Sequence, residues 1–423
     1  MITKDLVVET RLCVHCGACG EVCQNGALEL FNDRFGNVTS RIKTDKCIKC
    51  GLCNKVCPVE ALDYEKYASA IVKEGFNASI LPYEKCWSAY CFDEDIRFRA
   101  SSAGVTRTLA RFCIENNKVD AVVALAENAE DGLKPEFKIF KDGESLAMLA
   151  NSKYCPVSFG GVIRALCLEN KLQRILFIGL PCHIRAMRKA FTSIPQLRGR
   201  SLIAIGIFCK KTKDIRYSRY LAASLRCGKG PYQRFQFRGD GWPGVIKITT
   251  SKTMVSRLFN TAATASFPWR WYLFSPVSCL FCYDSFAREA DIAVGDPWLD
   301  KYVRSPASSK GVSFVVAHTL VGKELIDGCD TIIKEDVPMD DVVSSQSLNE
   351  ILAKVHCAEG RLQVVLKRSI EGVHWSQLVN AYWFLGLKKL FEQIFQYDIF
   401  VRIPNIFFKV LNKCPQSLFS NKK

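Results

Sequence analysis

Residues 13–23 read CVHCGACGEVC and residues 47–58 read CIKCGLCNKVCP, so Cys13, Cys16, Cys19 and Cys23 form a C-x2-C-x2-C-x3-C run that Cys47, Cys50, Cys53 and Cys57 repeat. Three thiolates at a three-residue period wrap three corners of a cubane, and the fourth opens a short helix aimed at a neighbouring cubane. Ligation therefore crosses over. Cys13, Cys16 and Cys19 are expected to hold one 4Fe-4S cluster with Cys57, and Cys47, Cys50 and Cys53 a second with Cys23. Gly17 and Gly51 follow the second cysteine of each run, where a residue without Cβ lets backbone N–H groups approach the sulfides. Pro58 closes the second run; Gln24 stands at the equivalent place in the first, a change that removes no ligand. Structural zinc also takes four thiolates, but usually from two C-x2-C knuckles separated by a spacer.

Over about residues 6–65 the arrangement resembles a bacterial two-cluster ferredoxin, with a hairpin-like insert, FNDRFGNVTSRIKT, turning at Phe35-Gly36-Asn37. Around it lies a chain of 423 residues with 21 cysteines and 58 Lys+Arg against 42 Asp+Glu, a formal charge of +16. At about 100–200 residues per domain, two or three domains are expected, with a core large enough to need no disulfides. A hydrophobic fraction of 48% excludes a disordered chain, and no uninterrupted apolar stretch is long enough to span a bilayer. The start, MITKDLVVET, lacks the basic and apolar segments of a signal peptide. A cytoplasmic location is therefore expected, where clustered thiols serve as metal ligands more readily than as disulfides.

Beyond residue 65 short apolar runs alternate with helical stretches: Val119–Leu125, Arg174–Gly179, Leu202–Phe208, Val245–Thr250 and Val312–Ala317 read as strands, and Arg107–Glu115 as a helix. The fold class expected is an α+β ferredoxin-like domain (1–65), a linker (66–85), an α/β body (86–345) and a mainly helical, basic, aromatic-rich extension (346–423). From about residue 86 to 345 a series of motifs in order resembles the beta-subunit family of the coenzyme F420 (deazaflavin) hydrogenases and dehydrogenases. They are Ser101–Thr106, Ser152-Lys153-Tyr154, Gly179-Leu180-Pro181-Cys182, Phe208-Cys209, Arg238–Gly244, Cys279-x2-Cys282 and Ala290–Trp298. Ala103 replaces a glycine common in relatives.

The resemblance implies FAD, with its pyrophosphate near Ser101, Ser102, Gly104, Val105 and Thr106 at a helix start, and the flavin against the loop 151–161 that carries Ser152, Lys153 and Tyr154. Read alone, Ser101–Thr106 is equally an ordinary helix cap and Lys153 equally a solvated lysine. The resemblance also implies a third 4Fe-4S cluster on Cys182, Cys209, Cys279 and Cys282, since strand ends at one sheet edge are where sites assemble. The alternative is that these cysteines pack as small hydrophobes. Lys153 and His183 are the catalytic candidates, His183 as a proton donor or else a packing side chain. Cys86-x4-Cys91 is the reserve pair should the quartet fail.

Residues 361–423 hold ten Lys/Arg and three Asp/Glu, with aromatic runs around Trp375, Trp383 and Phe407. They either lie on an anionic membrane or partner, or pack on the body with their lysines solvated. Nothing accompanies the charge that would mark a nucleic-acid binder. The parts together imply an iron–sulfur flavoprotein oxidoreductase exchanging electrons between ferredoxin, or another acidic redox protein, and a small-molecule or lipid-linked substrate. A deazaflavin-coenzyme dehydrogenase and a non-catalytic electron-transfer subunit are the competing readings. By analogy with bacterial relatives of this size, a role in surface-polysaccharide biosynthesis belongs with the first.

Overall fold

Asp33 organises the turn through Phe35-Gly36-Asn37: its carboxylate accepts the N–H groups of Phe35 and Asn37 at 2.8 and 2.9 Å, while Gly36 takes the left-handed conformation at φ 76°. The turn joins β1 (Leu28–Asn32) to β2 (Val38–Ile42) in an antiparallel hairpin running from Leu28↔Ile42 to Asn32↔Val38. Each cysteine run leads into a four-residue helix, α1 (Ala18–Glu21) and α2 (Leu52–Lys55). This computed structural model describes residues 12–59, 81–128, 131–227, 231–259, 272–303 and 309–347, with isolated positions between 269 and 389. Most of the expected linker and nearly all of the C-terminal extension lie outside the described residues.

The body is built on β3 (Lys85–Cys91), β4 (Ala121–Ala126), β5 (Glu136–Phe140), β6 (Arg174–Gly179) and β7 (Ser201–Ile207). After a three-stranded insertion of β8 (Arg234–Gln236), β9 (Val245–Thr249) and β10 (Met254–Leu258), it continues with β11 (Ile292–Gly295), β12 (Ser313–Ala317) and β13 (Ile332–Asp336). Eight of these strands form one sheet in the order β13-β3-β12-β11-β7-β6-β4-β5. The central four, β11, β7, β6 and β4, are parallel, and the flanking pairs are antiparallel. The sheet is therefore mixed.

Both faces of this sheet are covered, which is why its strands read as unbroken apolar runs. Along β6, Ile175 and Phe177 enter one core while Leu176 and Ile178 enter the other. The first core is covered by α5 (Val162–Leu168) and α6 (Pro181–Ser193), through Ile163, Leu166, Met187 and Phe191. The second is covered by α4 (Val105–Glu115), which follows α3 (Glu94–Arg99) and contributes Leu109, Ala110 and Cys113. Burying a side chain such as Phe177 is worth about 2–3 kcal/mol. Cys16, Ala18, Val22 and Val56 belong to the first core, so the cysteine-rich segment shares its packing with the body.

Candidate functional site

The two cysteine runs fold alike. His15 and Lys49, two residues into each run, have φ of 62° and 55°, and Gly17 and Gly51, two residues further, have φ of 74° and 73°. A left-handed non-glycine residue costs roughly 1–2 kcal/mol and persists where its surroundings demand it. Paired at equivalent positions, these residues curl each loop around a common centre. The His15 N–H donates to Cys13 Sγ at 3.3 Å, and its Nδ1 lies 2.9 Å from the Val38 carbonyl. Cys16 is buried, and that burial, then its neighbours Cys19, Cys13 and Cys57, push its thiol well above the ordinary range. Cys57 of the second run thus stands with the first three cysteines of the first. At the other end Cys50 is exposed, and Ile48 beside it is 68% exposed.

The parallel strands β6 and β7 end side by side at Gly179↔Gly206. Pro181 then opens α6, with Cys182 in its first turn, and Cys209 follows β7, so neighbouring strand ends present both thiols at one edge. Cys279, in the short turn Val277–Leu280, and Cys282 complete the group. Burial pushes the Cys182 thiol up, and Cys282 and Cys279 add to it; for Cys209 the same follows from burial and then Cys279, Cys182 and Cys282. Thiols such as Cys182 and Cys209, whose ionisation burial and neighbouring thiols oppose, call for a positively charged ligand. Among the described residues no three His, Cys, Asp or Glu side chains converge tightly enough for a single ion. A cubane spreads its thiolates over four corners and makes no such demand.

The surroundings of this quartet carry an excess of positive charge. Lys354 is 2% exposed and donates to the carbonyls of Lys210 and Cys282. Lys211, also buried, pairs with Glu350, which in turn accepts from the Tyr272 hydroxyl at 2.7 Å. The ammonium groups of Lys354 and Lys210 also act on Glu350, so three gather round one carboxylate. Buried charge left uncompensated is costly, and an anionic iron–sulfur cluster would balance it. None of these partnerships was legible in sequence. Beyond residue 345, Glu350 and Lys354 make these contacts with the body, and Gln346 donates to the Asp296 carbonyl at 2.7 Å.

The inner cysteine set and the body quartet are joined directly. Ser278 Oγ donates to the Cys13 carbonyl at 3.0 Å, one residue before Cys279, and Lys189 Nζ on α6 donates to the Cys57 carbonyl at 2.7 Å. The Phe159 N–H reaches the Cys16 carbonyl at 2.9 Å, and the Glu21 carboxylate accepts the N–H groups of Gly161 and Ile163 at 2.8 Å each.

The two segments expected at a flavin also meet, since the Ser152 N–H donates to Ser101 Oγ at 2.8 Å. The Ser102 hydroxyl lies 2.8 Å from that of Ser313, so both serine side chains already have protein partners. Gly104, at φ 76°, leads into α4, whose first turn contains Val105 and Thr106. A phosphate here would rely on backbone N–H groups. Lys153 is not solvated: its side chain is 2% exposed and donates to Glu127 at 2.6 Å and to the Phe235 carbonyl at 3.1 Å. Tyr154 packs edge-on against Phe237 and Trp269. His183 is wedged between Phe137 and Phe159, with Nδ1 unpartnered, and burial pushes its pKa down to about 4. Its ring is neutral at pH 7, a packing side chain with no imidazolium proton to give.

Two further motifs meet in a way the sequence did not suggest. The Arg238 guanidinium forms an ion pair with Asp296, whose Oδ1 also accepts from Trp242 Nε1 at 2.8 Å. Away from these sites, burial alone pushes the Cys86 thiol up to about 12, and it does the same to Cys113 and Cys155 as the leading cause. Cys86 and Cys91 lie near opposite ends of β3. Cys357 and Cys414 lie outside the described residues.

Paired cysteine-rich loops docked on a mixed α/β body make this an iron–sulfur protein of the oxidoreductase class. It belongs to the coenzyme F420 hydrogenase/dehydrogenase beta-subunit family: the family models for that subunit's N-terminal and C-terminal parts match residues 86–164 and 172–338, and a 4Fe-4S dicluster domain matches residues 12–61. The chain is 23% identical over 264 residues to the coenzyme F420 hydrogenase subunit beta of Methanococcus voltae, covering 58% of this chain and 85% of that protein. It is 25% identical over 356 residues to the coenzyme F420-dependent sulfite reductase of Methanocaldococcus jannaschii, covering 81% of this chain and 49% of the relative. A chain of the F420-reducing NiFe hydrogenase complex from Methanosarcina barkeri shares the fold, with a TM-score of 0.52 at 17% identity, over 68% of this chain and 96% of that one. Among the described residues no helix is long and apolar enough to cross a membrane.

Proposed function

We propose that the chain is an iron–sulfur flavoprotein oxidoreductase that exchanges electrons between an acidic redox protein of the ferredoxin kind and an organic substrate. In this reading Cys13, Cys16, Cys19 and Cys57 hold an inner 4Fe-4S cluster, Cys23, Cys47, Cys50 and Cys53 an outer one, and Cys182, Cys209, Cys279 and Cys282 a third. Clusters carry single electrons, and a bound flavin joins them to two-electron chemistry. The observation that carries the reading is the pair of hydrogen bonds from Ser278 and Lys189 to the Cys13 and Cys57 carbonyls, which fasten the inner set beside the body quartet. The exposed lysines 43, 46, 49 and 55 around the exposed Cys50 and Ile48 give an acidic partner its landing point. The Ser101–Ser152 bond supports FAD between those two segments.

Anaerobic purification with iron, sulfide and flavin quantitation tests this. About 12 iron atoms per chain is the expected count, and about 8 would remove the body cluster. Iron without bound or bindable FAD would leave a pure electron-transfer subunit. A second reading, a dehydrogenase of a deazaflavin coenzyme, is favoured by the names of the two relatives above, both of which carry coenzyme F420. Rapid bleaching of the protein's absorbance by reduced deazaflavin, and not by reduced ferredoxin, would select it.

A further inference from the structure

Among the described residues, two buried cations near the body quartet form ion pairs. Arg185 pairs with Glu289 and Asp284, and Lys211 with Glu350. Lys354 is as deeply buried as any of them, its hydrogen bonds go to two carbonyl oxygens, and among the described residues it shares no ion pair. One of those carbonyls belongs to Cys282 itself.

We propose that Lys354 sets the reduction potential of the body cluster, a positioned charge that stabilises the reduced form over the oxidised one. The proposal rests on the reading that the quartet holds a 4Fe-4S cluster. One-electron reduction makes and breaks no bond; it adds one negative charge to the cluster. A fixed positive charge in a site of low dielectric favours that extra electron far more than a solvated one would, because little water screens it. Net charge and hydrogen bonding near the sulfurs are among the quantities that tune cluster potentials, and Lys354 supplies both at the carbonyl of a ligand residue.

The test is an anaerobic potentiometric titration of the full-length holoprotein, followed by EPR, for wild type, Lys354→Met and Lys354→Gln. Glutamine keeps a hydrogen-bond donor and loses the charge. Both variants are expected to keep their iron and to move the midpoint of one cluster to more negative potential, leaving the other two in place. An unchanged midpoint in Lys354→Met overturns the proposal. So does a wild-type midpoint in Lys354→Gln alone, which would assign the effect to the hydrogen bond, or an equal shift of all three signals. Loss of cluster iron from both variants would make Lys354 an assembly residue and likewise overturns it. A wild-type protein with about 8 iron atoms fails the underlying reading before any variant is compared.

Discussion

In the reading proposed above, where the body quartet holds a third cluster, Gly295→Ala should empty the quartet while sparing the two cysteine-rich loops. Gly295 ends β11, and a Cβ added there would stand 2.0 Å from Phe208 Cδ2, 2.4 Å from its Cγ and 2.7 Å from its Cβ. Carbon atoms in contact sit about 3.5–4.0 Å apart. Turning the Phe208 ring removes only the first two clashes, because Cβ is fixed to the backbone, and the ring already rests edge-on against Phe286 at 5.3 Å. The backbone of Phe208 must therefore shift by the better part of an ångström, breaking its 2.9 Å hydrogen bond to the Val294 carbonyl. Overpacking of this kind costs about 1–3 kcal/mol. The next residue is Cys209, and a metal–sulfur bond of about 2.3 Å tolerates little of that movement. The expected result is a folded protein with about 8 iron atoms in place of about 12, with the EPR signals of the outer and inner clusters unchanged. Full iron and an unaltered spectrum in Gly295→Ala would refute the link from β11 to Cys209.

Two further outcomes follow from buried charges. His183 has an ordinary pKa near 6.5 when unfolded and about 4 when folded, so below pH 6.5 the unfolded chain takes up a proton that the folded one refuses. Stability is full above that value and falls as pH drops towards 4, by about 1 kcal/mol between pH 7 and about pH 5.5. His183→Phe, which suits the ring cluster, should flatten this part of the pH dependence of the denaturant midpoint; an identical slope in both proteins would sink the assignment. Asp296→Asn strips the buried Arg238 of its counter-charge, and breaking such a pair costs about 3–5 kcal/mol. Equal denaturant midpoints for Asp296→Asn and wild type would show that the pair is not holding β8 and β11 together.

The parts legible in sequence were those whose chemistry is local. Cys13–Cys23 and Cys47–Cys57 announce cluster loops because a cubane fixes the spacing of ligands along a short stretch of chain. The body strands were readable because burial on both faces leaves runs such as Ile175–Ile178 without a polar position. The quartet came into view only through resemblance, since Cys182, Cys209 and the Cys279–Cys282 turn are separated by a helix, a strand and an inserted sheet. Lys354 and Lys153 were opaque for a different reason. Lysine is mostly exposed, and what buries these two is a carbonyl or carboxylate far away in the chain, Cys282 for one and Glu127 for the other. No periodicity records such a partner. The edge strand β13 was likewise missed, its residues half-exposed towards Asp336.

The way the cysteine-rich segment is docked bears on what the two loops do. The carbonyls of Cys13, Cys16 and Cys57 accept hydrogen bonds from Ser278, Phe159 and Lys189, so three of the four residues grouped at the inner position are tied to the body through their own backbone. A ligand loop held in this way cannot drift without breaking contacts on which the first hydrophobic core also depends, since Cys16, Ala18, Val22 and Val56 are part of it. The outer run is arranged oppositely, with Cys50 and Ile48 facing solvent among exposed lysines. Two loops of the same backbone shape thus have unequal duties. In the reading proposed above, the tied loop holds its place beside Cys279 and the exposed one meets the redox partner.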